Sequence, residues 1–300
     1  MMLARMVVAA LSLAALVGCA AAPGRIGVVS GGEPRSYLLV APPKGASAPR
    51  PLLIALHGWL GTPEQMARMS GLSSAAARLN FAVVYPRGDW RSWGADESSA
   101  RGDADAAFLA EVVADVAAKI PVDRSRIYAV GFSNGGFMAQ ALACSGRVRL
   151  AGVAVVASGL AAPAAAACKP GSAVPFLLIQ GTGDPVVPVY GTDTREGRIL
   201  SAAETLAFWA TRNRCNGFAL APAASREPGF TIMRAVGQTC LGGDTEGWFI
   251  NGGGHGWPGG ESGYPAFLVG RKTSAIDATS VVLGFLLRQA AGLPPGSGGR

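Results

Sequence analysis

The chain has 300 residues, of which half are apolar and 15% are charged, and its formal net charge is +7. This length and apolar fraction suit one large domain with a sizeable core. The 42 glycines and 20 prolines follow no repeat, which excludes a collagen-like or solenoid protein. The positive charges are scattered, without a dense basic run, so we expect no nucleic-acid partner.

Residues 1–19 are interpreted as a lipoprotein-type signal peptide. A start that carries Arg5 precedes the apolar run VVAALSLAALVG, which is too short for a membrane span. LVGC, residues 16–19, resembles the bacterial lipobox, and this resemblance implies cleavage before Cys19 and lipid attachment there. The alternative is a plain secretory signal. The residue after Cys19 is Ala20 and not an aspartate. By resemblance to lipoprotein sorting in Gram-negative cells, this favours the outer membrane if the cell is Gram-negative.

Four cysteines remain once Cys19 is set aside. Export to an oxidising compartment favours two disulfides among them, with three possible pairings. The simplest hypothesis joins sequence neighbours, Cys144 with Cys168 and Cys215 with Cys240. Each bridge would close a loop of about 25 residues and contribute about 3 kcal/mol to stability. Buried free thiols are the alternative.

Predicted strands and helices alternate along the rest of the chain, which predicts an α/β fold with a mostly parallel central sheet and helices on both faces. A linker is predicted over residues 20–34, one domain over 35–291 and a disordered tail over 292–300. The predicted strands cover residues 37–43, 51–58, 81–88, 126–133, 150–159, 175–184 and a segment that begins at 246. The predicted helices cover residues 62–80, 103–120, 136–145, 204–215 and 275–290.

GFSNGG, residues 131–136, contains the pattern Gly-x-Ser-x-Gly between a predicted strand and a predicted helix. This is the setting of a nucleophile elbow, where a serine at strained backbone angles precedes a helix N-terminus. Gly131 and Gly135 have no side chain, and a side chain at either position would collide with the backbone in so sharp a turn. The motif predicts Ser133 as a nucleophile, and a structural glycine turn is the alternative.

A serine nucleophile needs a general base, and the chain has only two histidines. In α/β hydrolases, which carry such an elbow, the order along the chain is serine, acid, histidine. His255 follows Ser133, in the glycine-rich stretch GGGHGWPGG, and is therefore the predicted base. His57 precedes Ser133 and ends an apolar strand, so we expect it to hold its loop by hydrogen bonding.

Asp184 is the predicted acid, because it is the first carboxylate after the apolar run PFLLI. Its carboxylate would accept a hydrogen bond from His255 and stabilise the imidazolium. Rival carboxylates follow apolar strands less directly; they are Asp193, Glu196, Asp244 and Glu246.

The sequence HGWLG, which begins at His57, resembles the oxyanion-hole loop of this fold. That resemblance implies that the backbone amides of Trp59 and Asn134 bind the oxyanion. Loss of one such donor typically slows an enzyme by a factor of about 10²–10³.

Six segments together resemble the polyhydroxybutyrate depolymerase/feruloyl esterase-like family of secreted α/β hydrolases. They are HGWLGTPEQM, FAVVYPRG, DADAAFL, VDRSRIYAVGFSNGG, QGTGDPVVP and GGGHGWPGG. The resemblance implies an exported carboxylic ester hydrolase with an α/β-hydrolase fold, a Ser133–Asp184–His255 triad, no metal and no cofactor. It also supports the sequence-neighbour disulfides. Trp59 and Trp257 match aromatic positions of the family and are pocket candidates, although packing alone would also explain them.

Two departures from the family bear on function. Gln180 stands where relatives often have histidine, and we expect it to have no effect on the chemistry. No binding module follows the predicted domain, which favours small-molecule or oligomeric esters over solid polyester. Two other functions remain open, an α/β-hydrolase serine peptidase and a non-catalytic binding lipoprotein. A membrane is an expected partner only through Cys19, and no oligomeric state is predicted.

Overall fold

A computed structural model describes residues 24–41, 48–94, 99–169, 173–195, 197–261 and 265–291. The predicted signal peptide with Cys19, the rival acid Glu196 and the predicted tail over residues 292–300 lie outside these ranges. Within them, none of the helices combines the length and the apolar composition that crossing a membrane requires.

Ten strands of the described chain form one sheet, in the order β1-β2-β4-β3-β5-β6-β7-β12-β11-β10, and β8 pairs with β9 in a separate hairpin. The six central strands, β4 to β12 in that order, are parallel, and the strands at both edges are antiparallel. The strands are β1 (Arg25–Ser30), β2 (Glu33–Val40), β3 (Arg50–Leu56), β4 (Ala82–Pro86), β5 (Val122–Phe132), β6 (Gly152–Val156), β7 (Phe176–Gly181), β8 (Thr192–Thr194), β9 (Gly197–Ile199), β10 (Phe218–Ala223), β11 (Ile232–Gly237) and β12 (Thr245–Ile250).

Helices cover both faces of the sheet, because the central strands are apolar on both sides. In β3, Leu52, Ile54 and Leu56 pack in one cluster with α3, α4 and α6, whereas Leu53 and Ala55 pack in the other with α1, α2 and α8. Such continuous apolar runs are typical of strands in a parallel sheet. The helices are α1 (Pro63–Ser70), α2 (Leu72–Ala77), α3 (Ala100–Lys119), α4 (Asn134–Ser145), α5 (Ala162–Ala167), α6 (Ala202–Arg212), α7 (Ala266–Val269) and α8 (Ala278–Ala291).

The predicted linker over residues 20–34 is wrong from residue 25 onward. Residues 25–30 form β1, which pairs with β2 through a two-residue turn at Gly31 and Gly32. Both glycines have positive φ, 58° and 85°, and Gly-Gly is a typical hairpin turn. The apolar pattern of the strand RIGVVS is too short and too exposed to predict it.

Two further segments differ from the prediction. The helix predicted over 62–80 is divided at Gly71, whose φ of 63° ends α1 before α2 begins. The antiparallel pair β10 and β11 was not predicted at all. The strand β10 is largely exposed and contains Pro222, which removes one backbone donor from this edge strand.

Both disulfides are present in the sequence-neighbour pairing. Cys144, in α4, is bonded to Cys168, which follows α5. Cys215, which follows α6, is bonded to Cys240, which follows β11. The two bridges fix connections on the face of the sheet that α4 and α6 cover, and they are typical of a protein that folds in an oxidising compartment.

Candidate active site

Ser133 lies at the turn between β5 and α4 with φ 52° and ψ −122°. A side chain rarely adopts such angles, and residues that do are often found at functional sites. The neighbouring glycines are required by close backbone approaches. A Cβ atom on Gly131 would lie 2.1 Å from the carbonyl oxygen of Gly135, and one on Gly135 would lie 2.3 Å from that of Leu56. The geometry is therefore that of the predicted elbow.

The amide of Asn134 is the first of α4, and a first-turn amide has no acceptor within its own helix. The Ser133 amide, in contrast, donates to the carbonyl oxygen of Val156 at 3.0 Å. Trp59 lies in the loop after β3, and it lines the same cavity as Ser133 and Asn134. The two residues predicted to supply oxyanion donors thus border one space with the predicted nucleophile.

The Asn134 side chain has a role that the sequence did not predict. Its Oδ1 accepts a hydrogen bond from the Trp93 amide at 2.7 Å, and its Nδ2 donates to the Trp93 carbonyl oxygen at 3.1 Å. The Trp93 indole in turn donates to the carbonyl oxygen of His57 at 2.9 Å. These bonds connect the start of α4 to the loop that carries Trp59.

His57 is buried and holds its loop through both ring nitrogens. Nε2 accepts a hydrogen bond from the Gly88 amide at 3.0 Å, so the proton resides on Nδ1, which donates to the carbonyl oxygen of Gly58 at 2.8 Å. Burial lowers the pKa of His57 to about 4. The ring is therefore neutral at pH 7, as the predicted structural role requires.

The low pKa of His57 predicts an acid-sensitive fold. Between about pH 6.5 and about pH 4 the unfolded chain binds the proton that the folded ring excludes, so the free energy of unfolding falls as pH falls. Glutamine does not titrate, so we expect the free energy of unfolding of His57→Gln to fall by about 3 kcal/mol less than that of the wild type. Urea unfolding across this pH range measures the difference. Equal pH dependence in both proteins would contradict the burial of a neutral His57.

His255 and Asp184 lie in the loops after β12 and β7, which are adjacent parallel strands. His255 Nδ1 and Asp184 Oδ2 are 2.8 Å apart, and both side chains are buried. Asp184 Oδ1 accepts hydrogen bonds from the amides of Val186 and Val187, each at 2.8 Å. A carboxylate held by amides is an acceptor, so His255 donates from Nδ1 and its Nε2 is left to accept a proton.

The rings of His255 and Phe132 are 5.1 Å apart between centroids. Phe132 is the residue before Ser133, and this contact brings His255 beside the elbow. The His255 amide donates to the carbonyl oxygen of Val269, at the end of α7, with a distance of 2.5 Å. Ring packing on one side and a backbone bond on the other fix the position of the imidazole.

The rival acids are placed elsewhere. Glu246 is buried in ion pairs with Arg234 and Arg288 near the start of β12, whereas His255 follows the end of this strand. Asp244 accepts a hydrogen bond from Gln289, and Asp193 is exposed on β8. Within the described ranges, Asp184 is the carboxylate that is bonded to a histidine.

Gln180 contacts the predicted acid, a contact that the sequence did not predict. Its Nε2 donates to Asp184 Oδ2 at 3.2 Å and to the carbonyl oxygen of Val187 at 2.8 Å. It therefore supports the oxygen that binds His255 and the loop that carries Asp184. The substitution of glutamine for histidine relative to family members keeps a donor at this position.

We expect Gln180→Leu to lower kcat by about tenfold, because Asp184 Oδ2 loses a donor and the buried carbonyl oxygen of Val187 loses its partner. Steady-state kinetics over a pH series compares kcat of Gln180→Leu with that of the wild type. Gln238→Leu removes an exposed glutamine and serves as the control. Identical pH profiles for Gln180→Leu and wild type would show that the contact does not act on the site.

A cavity of about 1040 Å³ opens at Ser133. Its lining comes from the loops after β3 and β4, from the starts of α3, α4 and α5, and from the β8–β9 hairpin. The lining residues are Trp59, Trp93, Gly94, Ser99, Arg101, Ser133, Asn134, Phe137, Ala161, Pro163, Thr194, Arg195, Gly197 and Ile199. Trp59 is 66% exposed at this cavity, which fits a pocket residue.

Trp257 does not line this cavity, although it borders a smaller pocket together with His255. Its side chain is 3% exposed and packs in the core cluster that includes α8. The indole nitrogen donates to Thr279 Oγ1 at 2.9 Å. The turn after His255 directs this tryptophan into the core, where it supports the loop from behind.

No cluster of three or more histidine, cysteine, aspartate or glutamate side chains that could hold a metal ion occurs in the part of the chain that the structure describes.

Comparison with known proteins gives one family. The family model described as "Esterase PHB depolymerase" matches residues 35–193. NocK of Nocardia uniformis subsp. tsuyamanensis, which is named as an esterase, is 33% identical over 284 residues, covering 87% of this chain and 81% of NocK. Feruloyl esterase B of Piromyces equi is 30% identical over 230 residues, covering 71% of this chain but only 41% of its own length.

A solved structure shares the fold. Acetyl xylan esterase from Aspergillus awamori superposes with a TM-score of 0.55 at 16% sequence identity, covering 74% of this chain and 89% of that chain. At this identity the similarity concerns the fold alone. It confirms the predicted α/β-hydrolase architecture, a large and mostly parallel sheet with helices on both faces.

Proposed function

This chain belongs to the esterase PHB depolymerase family, and from that membership we propose that it hydrolyses carboxylic esters with Ser133 as nucleophile, His255 as general base and Asp184 as the orienting acid. The observation that carries the proposal is the strained Ser133 backbone at the opening of a large cavity. The hydrogen bond from His255 Nδ1 to Asp184 Oδ2 holds the imidazole in the tautomer whose Nε2 can accept a proton, as a general base requires.

The proposed reaction is a two-step acyl transfer. His255 Nε2 takes the proton from Ser133 Oγ as the oxygen attacks the ester carbonyl carbon, and it returns the proton to the alcohol that leaves. His255 then removes a proton from water as it attacks the acyl carbon, and it returns this proton to Ser133 Oγ when the bond to the acyl group breaks and the acid leaves. Asp184 stays ionised and stabilises the imidazolium in both steps, supported by four hydrogen-bond donors.

The negative charge of the tetrahedral intermediate needs donors that are already in position. We assign this role to the amides of Asn134 and Trp59. The Asn134 side chain is hydrogen-bonded to Trp93, and the Trp93 indole is hydrogen-bonded to the His57 carbonyl oxygen. These bonds keep the start of α4 and the loop of Trp59 at a fixed separation. A positive helix end at α4 contributes in the same direction.

The experiment that tests the proposal measures turnover of a substrate panel by the purified protein. The panel contains p-nitrophenyl acyl esters, methyl ferulate, 3-hydroxybutyrate oligomers and an aminoacyl-nitroanilide, with Ser133→Ala as the control. Ser133-dependent turnover of esters is the expected result. Turnover of the anilide alone would indicate a peptidase, and no turnover at all would favour a binding protein.

The substrates proposed for this chain are soluble esters. Relatives are named for feruloyl ester hydrolysis and for poly(3-hydroxyalkanoate) depolymerisation, and these names differ in the acyl group. A cavity of about 1040 Å³ accommodates an aryl ester or a short oligomer. Exposed Trp59 offers an aromatic surface at its edge.

Export and anchoring are proposed from the sequence, with lipid on Cys19 after cleavage of residues 1–18. The disulfides support passage through an oxidising compartment. We expect Cys19→Ala to move the protein from the membrane fraction to the soluble fraction, because two or more acyl chains are needed for stable anchoring. Cell fractionation with Ala20→Ser as the matched control measures this. Retention of Cys19→Ala in membranes would exclude anchoring at that residue.

A further inference from the structure

The β8–β9 hairpin forms one wall of the cavity at Ser133. It is joined to the body of the domain by a bridge between Ile199 and Ala161 and by a hydrogen bond from the Leu200 amide to the Leu160 carbonyl oxygen at 2.9 Å. Arg195 stands in its two-residue turn and lines the cavity. The turn thus presents a cationic side chain to the space that a substrate of Ser133 would occupy.

The charged residues among the described lining of this cavity have one sign. Arg101 and Arg195 both line it, and the described lining residues include no carboxylate. Arg101 is partly engaged, because its guanidinium donates to the Asp89 carbonyl oxygen at 3.0 Å and to Ser92 Oγ at 2.5 Å. A net positive lining attracts anions from solution, and the net charge of the whole chain acts in the same direction.

Arg195 differs from the other arginine of the same hairpin. Arg198, on β9, forms an ion pair with Glu204 at 2.7 Å. For Arg195 no ion pair to a carboxylate is found within the described ranges, and its side chain is exposed. Its planar guanidinium, which carries five N–H donors, can bind a planar carboxylate with two parallel hydrogen bonds.

We propose that Arg195 forms a carboxylate-binding subsite, and that the preferred substrates are esters with a free carboxylate remote from the scissile bond. Monoesters of dicarboxylic acids and oligoesters with a free acid end belong to this class. The inference rests on the proposed function, since it places the ester of such a molecule at Ser133 and its carboxylate at Arg195.

The test compares the monomethyl and dimethyl esters of adipic and suberic acid, which differ only in the remote charge. The quantity compared is kcat/KM for the monoester divided by kcat/KM for the diester, each counted per ester bond. We expect Arg195→Gln to lower this ratio by about fivefold for at least one chain length. Arg195→Glu lowers the ratio further. Arg198→Gln, a change of the same kind on the same hairpin, leaves it unchanged. Raising the salt concentration from about 0.01 M to about 1 M lowers the wild-type ratio, since the Debye length shrinks from about 30 Å to about 3 Å.

A binding measurement separates this inference from the proposed function. Monomethyl suberate is titrated calorimetrically into Ser133→Ala and into the same protein with Arg195→Gln, and weaker binding to the second is expected. Suppose that ester turnover depends on Ser133, but that neither the monoester-to-diester ratio nor the binding constant changes in Arg195→Gln. This result would overturn the carboxylate-binding subsite and leave the proposed esterase function standing. Arg195-dependent binding without turnover of any ester would support the subsite and overturn the esterase. Failure of both measurements would overturn both.

Discussion

Ser133→Ala is expected to lower kcat for ester hydrolysis by about 10⁴-fold or more. The reason is that Ser133 supplies the hydroxyl at the strained turn, next to Phe132, on which the His255 ring packs. Steady-state assays with p-nitrophenyl esters measure the effect. Stability is expected to change little, because Ser133 Oγ is not needed for any backbone bond and alanine meets the same positive φ of 52°.

Ser133→Gly is the matched control, since it removes the same hydroxyl and also the Cβ atom. Glycine tolerates this φ, so relief of about 1–2 kcal/mol of strain is offset in part by the flexibility that glycine adds to the unfolded chain. We therefore expect Ser133→Gly to be inactive and at least as stable as Ser133→Ala in thermal unfolding. Hydrolysis retained by both variants would rule out Ser133 as the nucleophile.

Gly135→Ala is expected to destabilise the protein by about 3 kcal/mol or more. The new Cβ atom would lie 2.3 Å from the carbonyl oxygen of Leu56 and 2.5 Å from that of His57. Both are backbone atoms at the end of a central strand, so neither can move away without disturbing the sheet and the loop of Trp59. Urea unfolding measures the loss, and activity should fall with it.

Gly284→Ala provides the control, because it makes the same change in the middle of α8, where a Cβ atom would meet nothing within 4 Å. Alanine is the better helix former, and we expect stabilisation by about 1 kcal/mol. Equal free energies of unfolding for Gly135→Ala and Gly284→Ala would contradict the close approach of α4 to the end of β3.

The elbow was predictable because its signal is local. A strand, a Gly-x-Ser-x-Gly turn and a helix are consecutive in sequence, and each of them has its own pattern. The pairing of His255 with Asp184 followed from chain order and from the scarcity of histidines. Neighbouring disulfides were predictable from export together with short loops.

Contacts between distant segments could not be read in this way. Asn134 and Trp93 exchange two hydrogen bonds across 41 positions of the chain. Gln180 reaches Asp184 only because the loop after β7 turns back over its own strand. Trp257 stands two residues after His255, yet its side chain packs in the core and does not line the cavity at Ser133. Side-chain direction in irregular loops depends on packing that a single sequence does not display.

The most direct test of the central claim is covalent labelling of the purified protein with a fluorophosphonate, followed by peptide mass spectrometry. A fluorophosphonate reacts with a serine that an adjacent base activates, and so it reports the nucleophile without knowledge of the substrate. The account predicts one adduct per chain, on Ser133, with strong loss of labelling in Asp184→Asn. Labelling at another residue, or none at Ser133, would contradict it.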